Sequence, residues 1–174
     1  IVGTVSGTSI SFGTAVVFES ANTSFTRAVY DVNAQKVVIV YQDFANSFYG
    51  TAIVGTVSGT SISFGTAVVF ESANSSHISP TYDANAQKVV IAYRDSGNSS
   101  YGTAIVGTVS GTSISFGTAV VFESAESNWI SATYDANAQK VVIAYEDAGN
   151  SNYGTAIVGT VSGTSISFGT AVVF

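Results

Sequence analysis

The segment IVGTVSGTSISFGTAVVF occupies residues 1–18 and recurs unchanged from Ile53, Ile105 and Ile157. Repetition at a fixed period indicates an array built from one structural unit, and here the period is 52 residues. The chain therefore divides into one partial unit followed by three full units, which we number 1 to 3: residues 1–18, 19–70, 71–122 and 123–174.

Each full unit is predicted to form four β-strands, which we call A to D. In unit 3 the predicted strands are A, about Ile130–Tyr134; B, about Lys140–Tyr145; C, about Tyr153–Val161; and D, about Thr164–Phe174. These segments are rich in β-branched and aromatic residues, and residues that favour turns separate them. DANAQ is expected to join A to B, EDAGNSN to join B to C, and Ser-Gly to join C to D. No segment has helical periodicity, so the predicted fold class is all-β.

Composition excludes several classes of partner. Only 9% of residues are charged, and 5 basic residues against 11 acidic ones leave a net charge of −6. Nucleic acids and anionic membranes both need clustered Lys and Arg, so neither is expected as a partner. The absence of cysteine excludes disulfides and thiolate metal sites. No apolar segment approaches the roughly 18 residues that cross a bilayer, so membrane insertion is not expected.

Four antiparallel strands in a unit of about 40–50 residues are typical of a β-propeller blade. SATYDANAQKVVIAY takes the place of the first hairpin of a blade, and the arrangement resembles the WD40 and kelch class of propellers. The Gly-His and Trp-Asp pairs of WD40 proteins are missing, so the resemblance concerns architecture alone. Near-identity of the units is similar to the recently amplified propellers of bacteria and phages, which implies an extracellular or virion-surface location. A β-solenoid or an open stack of sheets is the alternative fold.

The number of hairpins also leads to an expectation. A propeller typically closes with about 4–8 blades, and this chain has four C–D hairpins but three A–B hairpins. We therefore expect either a longer array or a homo-oligomer in which residues 1–18 are exchanged with, or added to, a neighbouring copy. Two copies would supply six full units.

Variation between the units indicates where a partner binds. Only 14 of the 52 positions differ among the full units. All three units differ at four positions, namely Phe25/His77/Trp129, Gln42/Arg94/Glu146, Phe44/Ser96/Ala148 and Phe48/Ser100/Asn152. Two neighbouring positions also vary, Asn22/Asn74/Glu126 and Arg27/Ser79/Ser131.

The first position falls in the predicted D–A connection and the other three in the predicted B–C loop. In an antiparallel unit these connections lie at the same end, so the variable residues are predicted to share one surface, the variable face. Loops on a rigid scaffold commonly carry binding residues, and exposed aromatic rings can stack on sugars or anchor a protein. Drift of duplicated loops is the alternative explanation. The candidate ligand-binding residues are Phe25, Arg27, Gln42, Phe44, Phe48, His77, Arg94, Ser96, Ser100, Glu126, Trp129, Glu146 and Asn152.

The sequence contains no recognisable catalytic motif. His77 is the only histidine, and its equivalents are Phe25 and Trp129, so the repeat encodes no Ser-His-Asp triad. One Asp recurs in every A–B turn and another in every B–C loop, and both are predicted to cap turns. Weak calcium binding is left open, and no metal site or cofactor is predicted. Glu19, Glu71 and Glu123 are expected to face solvent.

The predicted function is therefore a non-catalytic recognition module, lectin-like or protein-binding, whose partner is a glycan or a surface protein. The alternative is a structural repeat that serves assembly, as a spacer or fibre element. A glycoside-cleaving propeller ranks third.

Overall fold

The computed structural model describes residues 1–174, and it confirms an all-β fold. The only helical segments are two short 3-10 turns, Ser96–Asn98 and Ala148–Asn150. The strands are β1 (Gly3–Ser6), β2 (Ser9–Phe12), β3 (Thr23–Asp31), β4 (Lys36–Asp43), β5 (Tyr49–Ser58), β6 (Ser61–Phe64), β7 (Val68–Asp83), β8 (Lys88–Asp95), β9 (Tyr101–Ser110), β10 (Ser113–Phe116), β11 (Val120–Asp135), β12 (Lys140–Asp147), β13 (Tyr153–Ser162), β14 (Ser165–Phe168) and β15 (Val172–Val173).

The four predicted strands are present in each unit, in antiparallel order. In unit 3, strand A is the second half of β11, strand B is β12 and strand C is β13. Strand D is divided into β14 and β15, both of which pair with β13. The C–D turn is a two-residue hairpin turn in which Gly163 has a φ of +60°, a backbone angle that glycine adopts without strain.

At the two junctions between full units the D–A connection is not a loop, and the sequence-based prediction was wrong there, whereas residues 13–22 before unit 1 lie outside any strand. β7 is one uninterrupted strand: residues 68–74 pair with β5 of unit 1, and residues 75–83 pair with β8 of unit 2. A register shift between Ser76 and Ser79 marks a β-bulge, and His77 at its centre has a φ of +50°. A bulge bends a strand and increases its twist, which lets β7 leave one sheet and enter the next without a loop.

Hydrogen bonds link the three units into one open path. Its order is β14-β13-β12-β11-β9-β8-β7-β5-β4-β3, with β6, β10 and β15 attached at its side. The path does not close on itself. The structure therefore shows stacked antiparallel sheets, and a closed propeller remains a prediction.

The core lies between neighbouring sheets, and alternation along strand B fills it from both sides. In unit 2, Val89, Ile91 and Tyr93 face unit 1, whereas Val90 and Ala92 face unit 3. All five side chains are completely buried. Burying a Val or Ile side chain contributes about 1.5–3 kcal/mol, so the central unit is stabilised on both faces.

Glycine allows the closest approach between units. A Cβ atom at Gly65 of unit 1 would overlap the carbonyl oxygen of Thr112 in the C–D turn of unit 2. Gly117 and Thr164 repeat this arrangement at the next junction. The unchanged C–D segment is therefore also a contact between units.

Residues 1–18 form the additional C–D hairpin that the sequence predicts, β1 paired with β2. This hairpin packs on unit 1 in the same way that each later hairpin packs on the following unit. The ring centroid of Phe18 lies 5.3 Å from that of Tyr41, and the equivalent distance between Phe70 and Tyr93 is 5.2 Å.

Candidate functional site

The structure places the four most variable positions at one end of each sheet. In unit 1, Gln42 pairs with Ser24 on one side and with Gly50 on the other, and Asp43 pairs with Tyr49. The B–C connection, residues 44–48, follows directly from this last pair. Strand D of unit 1 is the first part of β7, and this part ends at Asn74, which pairs with Tyr49. Residues 25, 42, 44 and 48 therefore share one end of the sheet.

Two of these positions are not in loops as predicted. Phe25, His77 and Trp129 each lie in a β-bulge inside a long strand. Gln42, Arg94 and Glu146 occupy the second-to-last position of strand B, where they still belong to the sheet. Between the full units the chain crosses from one sheet to the next within β7 and β11, so at these two junctions the B–C connection is the only loop at this end of the sheets.

Phe25, His77 and Trp129 form a continuous row across the three units, which we call the aromatic row. The ring centroids of Phe25 and His77 are 5.3 Å apart, and those of His77 and Trp129 are also 5.3 Å apart. Exposure is greatest at one end of the row, where Trp129 is 73% exposed. The rings contact one another in sequence, with Phe25 tilted against His77 and Trp129 edge to face with His77.

His77 holds the row together through its ring nitrogen. The backbone N–H of Trp129 donates to His77 Nδ1 at 3.1 Å. Burial lowers the pKa of His77, the positive charge of Arg94 lowers it further, and Glu126 and Glu146 oppose the shift. At neutral pH the imidazole is therefore uncharged, with Nδ1 as the acceptor of this bond.

A groove of about 300 Å³ runs along the aromatic row on the A strands of the three units, and we call it the strand-A groove. Four predicted site residues line it, Phe25, Arg27, His77 and Trp129, together with Ile78, Ser79, Ile130 and Ser131. The sequence-based candidate list missed the last four. Variation among the units could have indicated them, because Ile78 and Ile130 replace Thr26, and Ser79 and Ser131 replace Arg27.

The backbone groups on the free edge of strand A have different hydrogen-bond partners at the two junctions. The N–H of Ala132 in unit 3 donates to Ser79 Oγ of unit 2 at 2.9 Å. One junction earlier the corresponding residues are Pro80, which has no N–H, and Arg27, which has no acceptor atom. The single proline of the chain thus stands where the preceding unit offers no acceptor.

No family model, curated protein or solved structure matches this chain. Its function is therefore inferred from the strand-A groove and the residues around it. No helix of the chain has the length and apolar character needed to cross a membrane.

A second group of variable residues forms ion pairs and hydrogen bonds between neighbouring units. Arg94 of unit 2 contacts Glu126 Oε1 at 3.0 Å and donates to Asn128 Oδ1 of unit 3 at 2.8 Å. Arg94 also donates to Ser100 Oγ at 3.1 Å, and Asn128 donates to Glu146 Oε1 at 3.3 Å. These charged residues are therefore engaged in contacts with each other beside the groove.

The corresponding pair at the first junction is neutral. Gln42 Nε2 of unit 1 donates to Asn74 Oδ1 at 2.8 Å, and Gln42 is buried. Variation at this position therefore changes the contact between units. Gln42 is too buried to serve as an exposed ligand contact.

The B–C connections differ in their packing. In unit 1, Phe44 and Phe48 pack on each other edge to face, with ring centroids 4.8 Å apart, and both stay partly exposed. In units 2 and 3, Ser96 and Asn152 are exposed in this connection. None of these residues lines the strand-A groove.

The recurring aspartates cap turns, as predicted. Asp83 Oδ1 accepts from the N–H groups of Asn85 and Ala86, both at 2.9 Å. In the B–C connection, Asp95 Oδ1 accepts from Gly97 N–H at 2.9 Å. No group of three or more His, Asp and Glu side chains in the structure is arranged to hold a metal ion.

Glu19, Glu71 and Glu123 do not simply face solvent, contrary to expectation. Each is half-buried and accepts a hydrogen bond from the tyrosine at the end of strand B, as Glu71 Oε2 does from Tyr93 at 3.0 Å. Burial raises the pKa of Glu71, Asp95 raises it further, and the bond from Tyr93 opposes both effects. Each pair joins the end of strand D of one unit to strand B of the following unit.

Proposed function

We propose that this protein is a non-catalytic recognition module that binds a glycan in the strand-A groove. The observation that supports this most strongly is the coincidence of two independent features. All eight residues that line the groove come from three consecutive variable positions, and one of these, Phe25/His77/Trp129, differs in all three units. The other two are Arg27/Ser79/Ser131 and the position of Ile78 and Ile130. Drift alone does not require variable positions to converge on one cavity.

The size and lining of the groove favour a saccharide over a protein surface. A volume of about 300 Å³ lies at the lower limit of small-molecule sites, which suits one or two sugar rings. Protein partners usually bury about 800 Å² on each side, a flatter and larger area. Trp129 presents an exposed aromatic face for stacking, and Ser131 adds a hydroxyl for hydrogen bonding. A surface protein remains the second candidate partner.

Binding without catalysis agrees with the state of the only histidine. His77 Nδ1 already accepts the N–H of Trp129, and no carboxylate or hydroxyl donates to or accepts from this ring. A general base needs a free nitrogen within hydrogen-bond reach of its nucleophile. His77 instead positions the aromatic row.

We further propose that the units are blades of a propeller and that the module acts outside the cell or on a virion. Support for blades comes from four-stranded antiparallel sheets that stack face to face with their A strands side by side. Each blade then contributes its A strand to a common inner surface, which in this chain carries the groove. Three units form part of such a ring.

Assembly is the alternative function, and one exposed apolar face favours it. Val142, Ala144, Ala156 and Val158 of unit 3 correspond to the residues by which unit 1 packs on unit 2. Val158 is 45% exposed, whereas its equivalents Val54 and Val106 are completely buried. A further unit of the same sequence, in the same chain or in another copy, would cover this face.

A glycan array probed with the wild-type protein and two variants tests the proposal. Trp129→Ala removes the exposed end of the aromatic row and should lower binding about tenfold or more. Tyr30→Ala is the matched control, because Tyr30 is also exposed but lies at the opposite end of its strand, where Asp31 pairs with Lys36. Equal loss in both variants, or none in Trp129→Ala, would contradict binding in the groove.

A further inference from the structure

Arg27 is the only formally charged side chain in the strand-A groove at neutral pH. The other lining residues are aromatic, aliphatic or hydroxylated, apart from the uncharged His77. No acidic residue lines the groove, although the protein as a whole has a net charge of −6. Arg27 is thus the only charge on the lining of the groove, and the charges of Arg94, Glu126 and Glu146 lie beside it.

The guanidinium of Arg27 has donors to spare. It makes one hydrogen bond, from Nη1 to the carbonyl oxygen of Thr26 at 2.9 Å, and forms no ion pair. A guanidinium carries five N–H donors, so most remain available. The other arginine, Arg94, contrasts with it, because Glu126, Asn128 and Ser100 all accept from or pair with Arg94.

The junction between units 1 and 2 keeps Arg27 free. Its equivalent Ser79 accepts the N–H of Ala132, a residue of the following unit. The residue of unit 2 that corresponds to Ala132 is Pro80. Proline has no N–H to leave unpaired, so a donor-only side chain at residue 27 carries no penalty there.

We infer that the groove is selective for an acidic saccharide, with a carboxylate of the sugar bound by Arg27 and a sugar ring packed against the aromatic row. This inference rests on the proposed function and names its ligand class. The planar guanidinium matches a carboxylate with two parallel hydrogen bonds, and such bonds are shorter and stronger than neutral ones. Phe25 lies two residues before Arg27, lines the same groove and offers the apolar surface near the charge.

The decisive experiment compares a short oligomer of glucuronic acid with a glucose oligomer of the same length and linkage, by titration calorimetry. Wild-type protein should bind the acidic oligomer about tenfold or more tightly, the ordinary contribution of a charge-assisted hydrogen bond. Arg27→Gln should remove this preference, and Arg27→Lys should lose most of it because the ammonium lacks the fork. Lys36→Gln removes the same charge at the opposite end of strands A and B and should leave the preference intact.

Whenever a saccharide binds, the outcome separates the acidic-ligand inference from the proposed glycan function. Equal affinity of the wild type for both oligomers, or an unchanged preference in Arg27→Gln, would overturn the acidic ligand. The groove would still be a glycan site if Trp129→Ala weakened binding of both oligomers. A sulfated glucose oligomer that bound as tightly as the glucuronic acid oligomer would overturn the assignment of a carboxylate. If no saccharide bound, the inference and the glycan form of the proposed function would fall together.

Discussion

Replacing Tyr93 with phenylalanine removes one hydroxyl from the core and leaves the packing of the ring unchanged. The hydroxyl donates to Glu71 Oε2 at 3.0 Å, and Tyr93 is completely buried against Phe70. A hydrogen bond to a charged group contributes about 1.5–3 kcal/mol. Glu71 is half-buried, so in the variant water can donate a hydrogen bond to its carboxylate and offset part of the loss. We therefore expect the free energy of unfolding to fall by about 1.5 kcal/mol, the lower end of this range.

The effect should depend on pH. Burial raises the pKa of Glu71 in the folded protein above its ordinary value of 4.5, and the bond from Tyr93 opposes this. The folded state therefore holds the proton of Glu71 more tightly than the unfolded state does, and stability falls as the pH rises from the ordinary value through the raised one. Without the tyrosine the pKa rises further, so the deficit of Tyr93→Phe should be larger at neutral pH than at pH values near the ordinary one.

Urea denaturation of Tyr93→Phe and Tyr41→Phe, followed by circular dichroism, measures the difference. Tyr41 is equally buried, but its hydroxyl lies 3.5 Å from Glu19 Oε2, at the limit of a hydrogen bond. We expect the smaller loss in Tyr41→Phe. Equal losses in the two variants, or a Tyr93→Phe deficit that does not change with pH, would refute the role assigned to the tyrosine–glutamate pairs.

Three further experiments test the junctions between units. A double-mutant cycle on Arg94→Ala and Glu126→Ala should give a coupling free energy of about 0.5–1 kcal/mol, because the side chains are 25% and 47% exposed. Arg94→Ala should lower stability more than Glu126→Ala does, since Asn128 and Ser100 also lose a hydrogen-bond donor. Ser79→Ala leaves the N–H of Ala132 without its acceptor and should lower stability by about 1 kcal/mol in urea denaturation; an unchanged midpoint would contradict that bond. The pKa of His77 is lowered below 6.5, so the unfolded state binds its proton first and stability should fall as the pH drops below that value. In His77→Phe, which copies Phe25, this part of the pH dependence should vanish from thermal melts, and its persistence would contradict the assignment of this pH dependence to His77.

Most of the fold could be predicted from the sequence, because strand-forming residues and turn residues alternate in every unit. The bounds of strand B in unit 3 differ from the prediction only at the C-terminal end, where β12 continues to Asp147. The long strand β7 could not be predicted, because the bulge residue at positive φ is His77 and not the glycine that would mark such a bulge in a sequence. The segment around it is polar, which favours the prediction of a loop.

The candidate site could be predicted only in part. Differences between the units pointed to Phe25, Arg27, His77 and Trp129, all of which line the groove. The same differences also pointed to Gln42 and Arg94, which pair with the following unit instead. Variation shows where chemistry changes, but whether a side chain faces solvent or a neighbouring unit depends on how the sheets stack, and no pattern within a single unit contains that information.

The most direct test of a ligand site in the strand-A groove uses Trp129, the only tryptophan of the chain. Its side chain is 73% exposed, so a ligand can reach it. No other tryptophan contributes to the emission, which therefore reports on the aromatic row. During titration with the glucuronic acid and glucose oligomers, we predict a saturable shift of the emission to shorter wavelength, with the same midpoint as calorimetry. Heat of binding without any change in Trp129 emission would contradict the account.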